Sequence, residues 1–439
     1  MDRRRHLLLT TLVLGWLQAS TGWGLTLEQA LLEALANNPD VRQAKTAIEA
    51  AGGEKIVLRS IALPAAALSG AGGVQSELNG VPAGPFAFAR GVISQPLFDA
   101  RIPASWRLGN LGVLIAQQRL NVAVTKVLHN TRVTFFEALY QRDLAALAAE
   151  QSGRLRTNLS IEKGRLKAGT GTEDAVVRAE VHALAGEPDQ VAAEQNYQLA
   201  RTVLAQLLGR SLAAGKALPV LEGRLRYQTF QMDLRADSEL ALKQRPDLKL
   251  LRTLIPAAQE KKRILQAGYL PLITLYASEQ VIPAGGLRND TAGTLDLSTE
   301  GLTAESEFGT QLTWRVIDNG AVRGAVLRQQ KQYEIDQVML TRLEQNVPRD
   351  LARIRHSLHL VAASVQALQT SRASAEKNVT VVEKGISAGQ ATQLDFRQAE
   401  SALWQVKTGL LDAKFKQAIA LAERDRALGN YFQFSFSEP

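Results

Sequence analysis

The sequence predicts a mainly α-helical chain with a few membrane-type β-strands, built from two copies of one unit. Residues 25–64 are written again as residues 232–271. Pro39 and Pro64 recur as Pro246 and Pro271 at a single offset of 207, with Leu35/Leu242, Asp40/Asp247, Ala50/Ala257 and Ala51/Ala258 in the same register. Two prolines held at one spacing without a gap mark a duplication. Two stretches of about 65 residues, 101–166 and 321–386, are helical by pattern, whereas globular helices usually stop near 20 residues. Each copy also carries two short strand-like segments, in one of which apolar and polar side chains alternate.

Composition fits long helices packed through small side chains. Aromatics make up 5% of 439 residues and prolines number 14, while alanine is abundant. The absence of cysteine removes disulfides, thiolate metal sites, a cysteine nucleophile and a lipidated N-terminal cysteine from consideration. A net charge of +8 is spread along the chain with few aromatics among the basic residues, so it reads as a solvated surface and not as a nucleic-acid site. Arg3, Arg4 and Arg5 precede an apolar run over residues 7–17 and small residues up to Gly24. That is the layout of a secretory signal peptide over residues 1–24, too short for a membrane-spanning helix.

Taken in order, the first repeat covers residues 25–225 and the second 226–439. Thr26 and Gln29 have the spacing of a capping box, and Asn38-Pro39 should break the first helix, because the residue before proline avoids the α region. A β-hairpin is expected over residues 63–98, with turn material at 77–85. Its counterpart spans 270–317, with a polar loop over 283–304 and a return strand over 305–317. In that strand Phe308, Thr310, Leu312, Trp314 and Val316 share one face, while Glu307, Gln311, Thr313 and Arg315 share the other. One face suits lipid and the other water, and about 9 to 11 residues suffice to cross.

The long helices follow. Pro348 should kink or divide the second. Each ends in a glycine turn, residues 167–172 and 387–392, now at an offset of 220, so the second copy carries about 13 extra residues in its hairpin. The return helices show a 3,4-spaced seam: Val176, Ala179, Ala183, Gly186, Gln190, Ala193, Tyr197, Ala200 and Leu204 in the first copy. In the second it is Phe396, Ala399, Leu403, Val406, Leu410, Ala413, Gln417 and Ala420. Such a seam winds helices around one another. Gly186 and Pro188 should kink the first.

Four strands cannot close a barrel, and an open edge in lipid leaves peptide groups unsatisfied at several kcal/mol each. The chain is therefore expected to be an oligomer, with eight strands from two copies or twelve from three. Twelve begins to leave a lumen, which favours a trimer if transport is the purpose.

Residues 25–39, LTLEQALLEALANNP, resemble the opening signature of the TolC family of outer-membrane efflux proteins. The paired Leu-Pro strand entries, the Pro96-Leu97-Phe98-Asp99 phrase and the A-G-x-x-T turns fit the same family over nearly the whole chain. The resemblance implies a homotrimer with a twelve-stranded β-barrel in the outer membrane and a helical barrel through the periplasm. It also implies partnership with a periplasmic adaptor and an inner-membrane pump, as the passive exit of a tripartite efflux or type I secretion system. By the same resemblance Ala168, Gly169, Thr170 and Thr172, with Ala388, Gly389 and Thr392, form the periplasmic tips that touch the adaptor. Asp395 is placed at the channel entrance, where three copies would make an acidic ring that attracts cations and raises its own carboxyl pKa. Here the next acid of the family pattern is Gln398 and its tyrosine is Ile386; the first copy has Asp174 one position early and Ala175 at the matching site. Glycines that cap helices and threonines that start them are the structural alternative at the tips.

His356 and His359 lie at i, i+3 without a third ligand in view and read as surface residues. No catalytic triad or phosphate-binding loop is present, and neither an enzyme activity nor a cofactor or metal is expected. The rival reading is a soluble periplasmic coiled-coil adaptor or scaffold, which gives no reason to expose Phe308, Leu312, Trp314 and Val316.

Overall fold

The computed structural model describes residues 24–75, 84–210, 218–283 and 302–430. The expected signal peptide, most of the 77–85 turn and most of the 283–304 loop lie outside the described residues. The elements run α1 (Leu27–Asn37), α2 (Pro39–Ser60), β1 (Ala65–Gln75), β2 (Gly84–Phe98), α3 (Ile102–Lys167), α4 (Glu173–Leu207), α5 (Leu234–Gln244), α6 (Pro246–Gln266), β3 (Leu272–Pro283), β4 (Leu302–Thr313), α7 (Ala321–Ser387) and α8 (Gln393–Leu428). The chain divides into two compact units: Met1–Ala44, Leu120–Pro246 and Glu344–Pro439 form one, and Lys45–Arg119 and Asp247–Leu343 the other. Helices α3 and α7 contribute residues to both.

The first unit is helical. Thr26 caps α1 through the expected box with Gln29. The break at Asn38 is fixed from both sides: its side-chain carbonyl accepts from Asp40 N–H at 2.9 Å, and its amide donates to the Leu207 carbonyl at 2.9 Å. Leu31, Leu35, Val41, Leu128, Phe135, Leu139, Leu204 and Leu208 then close one core. The heptad reading of the return helices holds, with Ala179, Ala183, Ala193 and Leu204 buried on α4 and Phe396, Ala399, Leu403, Leu410, Ala413, Gln417 and Ala420 on α8. Residues 218–228, ahead of α5, are held by side chains. Arg201 donates to the carbonyls of Leu218 and Pro219, Arg142 to those of Leu221 and Gly223, and Gln417 exchanges two bonds with the Gln228 backbone.

Neither Pro348 nor Pro188 divides its helix. Helix α7 continues through Pro348, whose neighbours Val347 and Leu351 are fully buried. Proline removes one helical hydrogen bond, and the burial of the flanking turn keeps the helix in register. Helix α4 likewise continues through Gly186 and Pro188. A Cβ at Gly186 would lie 3.1 Å from Leu155 Cδ1, so this glycine serves close approach to α3.

The second unit holds a four-stranded antiparallel sheet in the order β1-β2-β3-β4. A register shift between Pro96 and Phe98 falls where proline has no N–H for the ladder. β4 occupies 302–313, starting earlier than expected and ending at Thr313, so Trp314 and Val316 lie beyond the strand. Trp314 Nε1 donates to the Tyr269 carbonyl at 3.1 Å. Asp318 then accepts from the N–H groups of Gly320 and Val322, and α7 begins. Asp99, accepting from Arg101 N–H and guanidinium, holds the matching corner before α3.

Candidate functional site

Two surfaces concentrate the residues of interest, one in each unit. On the sheet, side chains of directly paired residues share a face. Ala66, Ile93, Ala277 and Phe308 are matched across all four strands, and this face also carries Leu68, Leu275 and Leu312. Phe308 is 78% and Leu68 84% exposed, so the apolar face has no cover among the described residues. Glu279 sits on it too, accepting from the Ser306 hydroxyl. The opposite face carries Ser94, Tyr276, Ser278, Arg90, Glu305 and Glu307. Arg90 lies 3.8 Å from Glu307, and Ser278 Oγ donates to the same carboxylate at 3.4 Å. Phe308 and Leu312 share this exposed apolar face; Trp314 and Val316 are exposed but outside the ladder.

At the helix ends the glycines do what a left-handed cap requires. Gly169 has φ +73° and Gly389 φ +75°. Thr170 N–H donates to the Arg165 carbonyl and Gly169 N–H to that of Leu166; Gln390 and Gly389 repeat this on Gly385 and Ile386. These paired bonds satisfy the last carbonyls of α3 and α7. Thr172 and Thr392 then cap α4 and α8. The positions are occupied as the structural alternative describes, and the turns remain exposed at Ala168, Gly169, Thr170, Ala388 and Gly389.

Asp395 is exposed and completes the α8 capping box: its carboxylate accepts from the Thr392 hydroxyl at 2.6 Å and the Thr392 N–H at 2.8 Å. Those two bonds, the hydroxyl first, hold its carboxyl below the ordinary aspartate value. Within one chain the direction is opposite to that expected for a crowded acidic ring. Asp174 caps nothing and pairs with Arg178 at 2.5 Å.

The strongest polar feature at this end escaped the sequence reading. Helix α3 carries Glu150, Arg154, Asn158 and Glu162, four residues apart, and α8 carries Gln393, Glu400 and Lys407, seven apart. They meet as a ladder: Lys407 to Glu150 at 2.7 Å, Arg154 to Glu400 at 2.9 Å, Asn158 to Gln393 at 2.8 Å and Gln393 to Glu162 at 2.8 Å. Glu162 is only 2% exposed, and Arg165 adds a second donor to it. Burial pushes the Glu400 carboxyl above its ordinary value despite Arg154. The spacing was legible as a stripe; which helix covers it was not.

His356 and His359 are exposed. Among the described residues no group of three or more His, Cys, Asp or Glu side chains is placed to hold a metal ion. No described helix is long and apolar enough to cross a membrane.

A sheet whose apolar face and two edges are uncovered among the described residues, carried with two long helical hairpins in each chain, fits a channel subunit of the outer-membrane type. The chain belongs to the outer membrane efflux protein family, whose pattern matches residues 30–210 and 238–430, one match in each repeat. It is 25% identical over 338 residues to the alkaline protease secretion protein AprF of Pseudomonas aeruginosa, covering 75% of this chain and 67% of that protein. It is 23% identical over 308 residues to the outer membrane protein TolC of Escherichia coli, covering 68% and 60%. The fold is that of the Campylobacter jejuni CmeC outer membrane channel, with a TM-score of 0.75 over 94% of this chain and 87% of the other at 16% identity. The protein is an outer-membrane channel subunit serving as an exit duct. The soluble-scaffold alternative falls with that membership.

Proposed function

We propose that three copies close a twelve-stranded barrel in the outer membrane, and that their helical hairpins line a periplasmic passage through which cargo leaves unchanged. The observation that carries this reading is the sheet. β1 and β4 are its ends, so each has one edge without a strand partner among the described residues, and its apolar face is bare. Lipid provides no hydrogen bonds for such edges. Further copies supply the missing strands, and twelve leave more room than eight, which side chains nearly fill.

In this reading the tips at Ala168–Thr172 and Ala388–Thr392 dock a periplasmic adaptor coupled to an inner-membrane pump. Asp395 from each copy rings the entrance, with Asp174 beside it on the first-copy tip. Phe308 and Leu312 face lipid. The chain performs no reaction and needs no cofactor or metal. The family description names efflux and the AprF description names protease secretion, which are both export.

The test is a mass and a current. The protein is extracted from outer membranes in mild detergent, its mass measured by light scattering, and the same preparation inserted into a planar bilayer. Three copies and discrete conductance steps are expected. A folded monomer in the aqueous fraction, or a trimer without conductance at any applied voltage, overturns the proposal.

A further inference from the structure

Positive charge in this chain is gathered at one level of the second unit. Residues 54–63, 99–110, 260–271 and 314–328, which join the sheet to α2, α3, α6 and α7, hold ten lysines and arginines against four acids, most of the net +8. The helical part of each segment covers about two turns, roughly 10 Å at 1.5 Å per residue, from the helix end nearest the sheet. The four segments touch in sequence around one rim. Arg59 donates to Asn110 at 3.1 Å, Arg107 meets Glu260 at 3.0 Å and Lys262 donates to Gln330 at 2.7 Å, which links α2 to α3, α3 to α6 and α6 to α7.

Three of the four acids of this collar are turned inward or engaged, while its cations project. Asp99 and Glu260 are buried, yet Arg101, Arg107 and Arg263, which pair with them, stay at least half exposed. Asp318 caps the N–H groups of Gly320 and Val322. Lys261, Arg323 and Arg328 are exposed and pair with no acid among the described residues. One order recurs at all four segments. An exposed apolar side chain lies next to the sheet and an exposed cation beyond it, as in Leu63 then Arg59, Phe98 then Arg101, and Leu270 then Arg263. Ile317 precedes Arg323 in the same way; Arg315 is the exception, nearer the strand and close enough to Asp318 to act on its charge. A surface that passes from apolar to basic on four neighbouring segments matches the boundary between hydrocarbon and charged headgroups.

We infer that this collar binds the headgroups of anionic glycerophospholipids in the leaflet next to the helices, and so fixes how deep the sheet sits in the membrane. This rests on the reading that the sheet crosses the outer membrane, and it names the lipid that the crossing selects. Charge complementarity carries it. A surface with more than two cations for each acid attracts anionic headgroups within a Debye length, about 8–10 Å. Lysine and arginine lay their long stems along apolar surface while the charged end reaches the phosphates. A water-filled passage gives no reason to set exposed Leu63, Phe98 and Leu270 against these cations.

Tryptophan fluorescence reports this level directly, because Trp106 and Trp314 adjoin Arg107 and Arg315 in the chain. Trp16 and Trp23 fall in the expected signal peptide, and Trp404→Phe removes the reporter in the other unit. Trimers of this variant are reconstituted in phosphatidylcholine vesicles in which an equal share of the lipid is either brominated phosphatidylglycerol or brominated phosphatidylcholine. At low salt the brominated phosphatidylglycerol is expected to quench about twofold more strongly. The excess should shrink at high salt and in the triple variant Lys261→Gln, Arg323→Gln, Arg328→Gln. Equal quenching by the two lipids, in trimers that conduct, overturns this inference and leaves the duct reading intact. So does a triple variant that alters the ion selectivity of the bilayer current while keeping the lipid preference, since its cations then face the passage. A protein that neither lipid quenches has no sheet in the membrane, and both readings fall.

Discussion

Gly209 lies against the carbonyl of Asn37 so closely that a Cβ there would sit 2.8 Å from the oxygen, and its φ is +72°. The duplicate keeps the relationship: Gly429, φ +74°, would place a Cβ 3.0 Å from the Gln244 carbonyl. The end of each return helix is thus seated on the helix break before Pro39 or Pro246. Left-handed backbone alone costs an alanine about 1–2 kcal/mol. Gly169 and Gly389 have the same φ and nothing within 4 Å of a Cβ. Gly209→Ala should therefore destabilise the protein more than Gly169→Ala in denaturant titrations; equal losses would show that the Asn37 contact adds nothing.

Acid should loosen the helical unit through His129. Its imidazole is buried, which first, with Arg426 and Arg132 nearby, depresses its pKa against the opposing hydrogen bond that the ring donates to the Ala422 carbonyl. The unfolded chain binds a proton near pH 6.5 that the folded chain refuses, so stability falls as pH drops through that value. Thermal unfolding from pH 7.5 to 5 should fall less steeply in His129→Gln than in the parent. Parallel curves would remove His129 from the account.

The two faces of β4 should respond oppositely to charge. Arginine in place of Phe308 or Leu312 meets lipid at about 2–4 kcal/mol near the bilayer midplane. Gln311→Arg lies on the other face, beside Thr274. Yield of heat-modifiable protein folded into lipid vesicles should drop for the first two and hold for the third.

At the entrance, Asp395→Asn removes the charge while an amide oxygen remains to accept from Thr392. Block of the bilayer current by multivalent cations should weaken, and an unchanged block would dismiss the acidic ring.

Gly389→Pro, or a bulky residue at Gly169, should impair export in cells while trimers persist on native gels. Loss of trimers instead would mean that these turns hold the assembly and do not dock a partner.

Much of this protein could be read from local rules. The break at Asn38, the capping box at Thr26, the four strands and the seams on α4 and α8 follow from proline sterics, side-chain caps and hydrophobic period, which act over a few residues. Elsewhere local rules did not decide the outcome. Helices α7 and α4 run on through Pro348 and Pro188, with Val347 and Leu351 buried beside the first and the turn around the second exposed, and β4 stops at Thr313, where Trp314 donates to the Tyr269 carbonyl.

The sequence by itself determined the duplication and the family, since both are patterns along the chain. Only the tertiary structure decided which acids of the long helices are covered. Glu162 and Glu180 are both acids in long helices, yet one is buried under Gln393 and the other remains exposed. Pairing between residues more than 200 positions apart depends on how helices cross, and neither residue's neighbours in the chain encode that choice.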